Sequence, residues 1–112
     1  MRRGEIRWAS LSEPTGAGPG YRRPLLVVQS NEFNDSHIRT VVCAVITSNL
    51  RLSRAPGNVR LPRKVSGLKK DSVANVSQLI TVDQRNLSTH VSRLPAQTMR
   101  AVDDGIRLVL SV

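Results

Sequence analysis

The stretch Thr40-Val41-Val42-Cys43-Ala44-Val45-Ile46-Thr47 decides the fold reading. Its interior is an unbroken apolar run rich in β-branched side chains, long enough for a strand buried on both faces and too short for a typical helix. Leu25-Leu26-Val27-Val28-Gln29 reads the same way, and the two runs are expected to pair as central strands. Cys43, the single cysteine, falls inside the run, where it reads as a small core hydrophobe rather than a nucleophile. With no second cysteine, no internal disulfide can form.

Upstream, Arg3 to Ala9 alternates, with Ile6 and Trp8 on one side and Glu5 and Arg7 on the other, as in a strand that covers one side of a core. Ser10 to Gly20 concentrates turn formers and reads as a mobile loop. Between the two apolar runs, Ser30 to Arg39 is polar and holds Asn31, Asn34 and Asp35. It fits either a connecting loop or a short helix.

Downstream, Asn58 to Leu61 and Ser72 to Val82 are strand-like and follow a loop at Pro56-Gly57. From Pro95 to Val112 the period changes: Met99, Val102, Ile106 and Val109 are spaced as the stripe of an amphipathic helix. Pro95 suits its first turn. Gly105 weakens such a helix by about 1 kcal/mol relative to Ala, so packing rather than propensity must hold it. The expectation is a single domain over residues 1–112, mainly β with a C-terminal α-helix, folded as a small, strongly bent barrel.

Seventeen Lys and Arg against eight Asp and Glu give a formal charge of +9. An excess of that size in a small chain suits a polyanionic partner. The apolar core must come from Val, Leu, Ile and Ala, because Trp8, Tyr21 and Phe33 are the only aromatic residues. Met1-Arg2-Arg3-Gly4-Glu5 is not followed by an apolar leader region, and no stretch has the length of a membrane span. The expected location is the cytoplasm.

His37 and His90 are the side chains best suited by their titration to acid–base work. Both lie in polar segments that nothing in the sequence brings together, so a surface reading is preferred. No His or Cys pair has metal-ligand spacing and no carboxylate cluster has a metal signature. Neither a metal nor another cofactor is expected. The glycines at 16, 18 and 20 precede Tyr21-Arg22-Arg23-Pro24, which cannot open the helix that a phosphate-binding loop requires.

Two places are left for chemistry. One is the basic junction Tyr21-Arg22-Arg23-Pro24, which feeds directly into the buried run at Leu25. The other is the end of the second run, where Ile46 gives way to Thr47-Ser48-Asn49. On residue types alone, solvated charge and ordinary turn capping account for both.

At these residues the chain resembles the MazF/PemK toxin family. The resemblance covers nearly the whole length. It includes Arg3-Gly4-Glu5-Ile6, Arg23-Pro24 leading to Gln29-Ser30-Asn31, and Ala44-Val45-Ile46-Thr47-Ser48. It continues through Ser66-Gly67-Leu68, Asp71-Ser72-Val73 and Val76-Ser77-Gln78-Leu79-Ile80-Thr81-Val82-Asp83, with Leu87 before the final helix.

The resemblance implies an SH3-like barrel with a C-terminal helix, a homodimer with an RNA groove across the subunit interface, and an acidic antitoxin partner of the MazE type. It also implies a toxin that cleaves single-stranded RNA at short sequences without metal, leaving 2′,3′-cyclic phosphate and 5′-hydroxyl ends. The family's arginine before proline maps to Arg23 and its strand-end threonine to Thr47, the expected catalytic pair. Asn31, Ser48 and Gln78 are expected to line the groove, Arg22 and Arg51 to meet phosphates, and Tyr21 to stack on a base. Members often carry an acidic residue in the loop before Arg-Pro. Ala17-Gly18-Pro19-Gly20 has none, and Glu13 lies earlier.

Two other classes are weighed against this one. A gyrase poison of the CcdB type resembles the fold and acts on a topoisomerase, and a catalytically silent RNA-binding module would use the same basic groove. The motifs at Arg23 and Thr47 favour the nuclease.

Overall fold

The computed structural model describes residues 1–11 and 21–112. From residue 12 to residue 20, the loop expected over Ser10 to Gly20 lies outside the described residues. The elements in chain order are β1 (Glu5–Ser10), β2 (Arg22–Val27), α1 (Asn31–Asn34), β3 (Thr40–Thr47), β4 (Val59–Leu61), α2 (Arg63–Ser66), β5 (Ser72–Asp83), β6 (Leu87–Arg93) and α3 (Ala96–Leu110). A 3₁₀ turn at Leu50–Arg54 joins β3 to β4, and another at Gln84–Asn86 joins β5 to β6.

The six strands form one antiparallel sheet in the order β4-β5-β3-β2-β1-β6. The two apolar runs are its paired centre, with Leu25 opposite Val45, Leu26 opposite Ala44 and Val27 opposite Cys43. Both faces are covered, as their unbroken hydrophobicity predicts. Ile6, Leu26, Ala44, Ile46, Ala74 and Val76 pack with Met99 and Val102 of α3 on one face. Ala9, Leu25, Val27, Val41, Cys43, Val45 and Val82 cluster on the other. Burial pushes the Cys43 thiol up to about 12, which keeps it protonated and unreactive.

Within β1 the expected alternation holds. Glu5 nevertheless lies covered rather than in open water, and its carboxylate accepts from Arg7 Nε at 2.9 Å. Ser30 to Arg39 contains a short helix, α1, whose Ser30 hydroxyl caps Phe33 N. The apolar stripe of α3 is shorter than its spacing suggests, because Met99 and Val102 are buried while Val109 is 42% exposed. Arg3 ties the helix to the sheet: it donates to the Val28 carbonyl at 2.7 Å and pairs with Asp103 at 2.6 Å.

Two irregularities bend the sheet. In β5, Asn75 faces Val45 and Leu79 faces the adjacent Ala44, so residues 76–78 bulge out of the pairing. Asn75 accepts from the Ser77 N–H and hydroxyl, and Asn58 accepts from Val76 N, which satisfies the freed backbone. The edge strands β4 and β6 are not paired with each other. α2, which follows β4, bridges them: the Ser92 hydroxyl donates to the Ser66 carbonyl, and Gly67 lies against Val91 and Ser92.

Candidate functional site

A cavity of about 710 Å³ opens where β2 begins and β3 ends. Strand pairing accounts for two of its lining residues, Arg23 and Thr47. The β2–β3 pairing runs from Val27 opposite Cys43 to Leu25 opposite Val45, and the next residues outward on the two strands, Pro24 and Arg23 on one and Ile46 and Thr47 on the other, all line the cavity. Arg23 is half-buried and makes no ion pair or side-chain hydrogen bond with any described residue. Thr47 Oγ1 accepts from Asn49 N at 3.1 Å. That bond fixes the oxygen and leaves its proton available for donation.

Alternation along β2 puts Arg22 on the other face, where its guanidinium lies over the Trp8 ring, 5.0 Å from the centroid. Pro24 and Ile46 extend this floor, and Ser48 stands at the rim. The opposite wall is the segment after α2, with Gly67, Leu68, Lys69 and Lys70 lining the cavity beside Val91 of β6. Asp71, next in sequence, anchors that wall: it accepts from Arg63 N at 2.9 Å and pairs with Arg60 at 3.6 Å and Arg63 at 3.8 Å. The Arg63 backbone N–H, followed by the charges of Arg63 and Arg60, holds its carboxyl below the usual range.

Arg22, Arg23, Lys69 and Lys70 all line this cavity at the start of β2, Arg22 and Arg23 from opposite faces of the strand, and no described carboxylate lines it. A cation-lined site of this kind suits an anion, and the Arg23 guanidinium with the Thr47 hydroxyl suits a phosphate group. Among the described residues no group of three or more His, Cys, Asp or Glu is gathered in a way that could hold a metal ion. Neither His37 nor His90 lines the cavity.

Of the residues singled out in the sequence, Arg22, Arg23, Thr47 and Ser48 meet here. Four others do not line this cavity. Tyr21 is 63% exposed outside it. Asn31 lies in α1, its side-chain oxygen accepting from Arg3 N and Asn34 Nδ2. Arg51 sits in the 3₁₀ turn capped by Asn49, and Gln78 lies in the β5 bulge, accepting from Asn75 Nδ2. Sequence reasoning passed over Trp8, Lys69 and Lys70. Adjacent lysines between Gly67-Leu68 and Asp71-Ser72 were the available signal.

A curled six-stranded sheet with a cation-lined mouth defines the class of small, mainly β proteins suited to a polyanionic partner. The family described as the PemK-like, MazF-like toxin of type II toxin–antitoxin systems matches residues 2–110, and the chain belongs to it. It is 46% identical to endoribonuclease MazF6 of Mycobacterium tuberculosis over 112 residues, covering 100% of this chain and 98% of that one. The MazF crystal structure from Deinococcus radiodurans superposes with a TM-score of 0.81 at 21% identity, covering 100% of this chain and 97% of that one. A mycobacterial endoribonuclease in complex with its cognate antitoxin gives 0.74 at 20% identity, covering 100% and 94%. No helix among the described residues is long and apolar enough to cross a membrane.

Proposed function

We infer that the chain is a MazF-type toxin of a toxin–antitoxin system, an endoribonuclease, and that the cavity holds the scissile phosphodiester of single-stranded RNA. The observation that supports this most strongly is that Arg23 and Thr47 line one cavity together with Arg22, Lys69 and Lys70. In metal-independent cleavage the 2′-oxygen bonds to the adjacent phosphorus and gives up its proton to solvent water. The 5′-oxygen then departs and takes one up, leaving 2′,3′-cyclic phosphate and 5′-hydroxyl ends. Negative charge gathers on the non-bridging oxygens along the way. The planar guanidinium of Arg23 binds two of them at once and, because it stays charged at any working pH, stabilises that charge and hydrogen-bonds the leaving oxygen as water protonates it. The Thr47 hydroxyl orients the 2′-oxygen or the phosphate by hydrogen bonding.

Residues 1–112 act as one endoribonuclease domain. Two copies form a homodimer whose RNA groove crosses the interface, which would bring Tyr21, Asn31, Arg51 and Gln78 within reach of a strand longer than one cavity. The charge of +9 per chain, about +18 for two, attracts RNA and equally an acidic MazE-like antitoxin segment in the same groove. Both binding events take place in the cytoplasm.

The test is incubation of the purified protein with a long RNA in excess EDTA, followed by mapping of the new ends. Cyclic-phosphate and 5′-hydroxyl ends at a short recurring sequence are expected. Intact RNA that is nonetheless bound would establish the silent binding module instead, and loss of supercoiling activity in a gyrase assay with intact RNA would favour the poison.

A further inference from the structure

Arg22 is not held as a phosphate clamp would be. Its guanidinium carbon lies 5.0 Å from the centre of the Trp8 ring. Its Nη1 reaches the Ser88 hydroxyl oxygen at 3.5 Å, and that hydroxyl donates to the Trp8 carbonyl at 3.2 Å. The cation is therefore laid against the indole and tethered at one edge by a serine that is itself fixed to the tryptophan backbone. Both Trp8 and Arg22 line the cavity. Because Arg22 and Arg23 are consecutive on β2, they address different faces of the strand, so a nucleotide whose phosphate meets Arg23 leaves Arg22 to a different group of the RNA.

We propose that the stacked Trp8–Arg22 pair is a platform on which an RNA base adjoining the scissile phosphate rests, with the guanidinium plane as its upper surface. Arginine planes and aromatic rings both stack on bases, and recognition of single-stranded RNA relies on such contacts. A base on this platform fixes the register of the strand. Arg23 and Thr47 then meet one chosen phosphodiester, and Arg22 is a specificity-determining residue. The proposal rests on the endoribonuclease reading.

The experiment compares Arg22→Lys, which keeps the charge and loses the plane, with the unaltered protein. Substrates are short single-stranded RNAs carrying the mapped cut site, either intact or with one abasic residue at each position flanking the cut. With the unaltered protein, one abasic position raises KM about tenfold, the lower part of the range for loss of a base–aromatic stack. Arg22→Lys raises KM on intact RNA by a similar factor and makes that abasic position indistinguishable from the intact one. Trp8 is the only tryptophan, so its emission spectrum checks that the variant keeps the local fold. It also reports quenching by the base when a 2′-deoxy, uncleavable version binds.

If Arg22→Lys retains the full response to the abasic substitution, or if no abasic position matters to the unaltered protein, the platform is refuted while the nuclease stands. If the unaltered protein neither binds nor cuts any RNA, the nuclease reading falls and the platform with it.

Discussion

A Cβ placed on Gly105 of α3 would lie 2.1 Å from the carbonyl oxygen of Gly57. The helix and the turn before β4 meet backbone to backbone, and Gly57 itself holds a left-handed φ of +84°. Helix propensity alone says that Gly105→Ala stabilises by about 1 kcal/mol. The contact reverses the sign, because the added methyl meets main chain that cannot rotate away, and we expect a loss of about 2 kcal/mol or more. Urea unfolding of the two proteins decides it, and a gain in midpoint would refute the close approach.

Arg23 and Thr47 are expected to separate activity from stability. Arg23→Ala should lower kcat about 100-fold or more while leaving unfolding free energy within about 0.5 kcal/mol. Thr47→Val should remove much of the activity and Thr47→Ser restore part of it, because serine keeps the hydroxyl. Initial rates on a fluorogenic RNA test both, and full activity in Arg23→Ala would end the assignment.

Lys69 and Lys70 should act through phosphates rather than bases. Replacing both with Gln is expected to weaken binding of an uncleavable oligonucleotide evenly across sequences. The slope of log K against log salt should become shallower by about 1.4, at about 0.7 for each contact on a single strand. An unchanged slope would remove them from the binding surface.

Asp71 gives the wall that carries those lysines an acid-sensitive anchor. Its folded pKa is depressed, first by the Arg63 backbone N–H. Its contribution is therefore complete above the unfolded value of about 3.9 and is lost as pH falls through the lower folded value. Asp71→Asn should be less stable than the unaltered protein at neutral pH, and the two stability curves should converge below about pH 4. Urea midpoints from pH 7 to pH 3 test this, and parallel curves would contradict it.

The central strands were legible because burial on both faces leaves an apolar run no alternation can mimic, as at Thr40 to Thr47. β6 was not. Leu87-Ser88-Thr89-His90-Val91-Ser92-Arg93 is mostly polar and becomes a strand by pairing with β1 at the sheet edge. Arg23 and Thr47 were picked out through motif resemblance, whereas what brings them to one cavity, the pairing of β2 with β3, is a property of the folded sheet. Trp8 and Arg22 are fourteen residues apart in sequence, and only the β1–β2 hairpin makes them neighbours. Gly105 reads as a defect until Gly57 is seen beneath it.

The gap between β4 and β6 bears on how the wall of the cavity is held. Every other neighbouring pair of strands is laced by a ladder of main-chain bonds, whereas this junction relies on α2, with one hydroxyl of β6 reaching a single carbonyl. Lys69 and Lys70 follow directly after that joint. The wall that carries the two lysines is thus joined to β6 through α2 and side-chain contacts alone, and the β4 and β6 amides along that seam should exchange with solvent faster than those of the β2–β3 ladder.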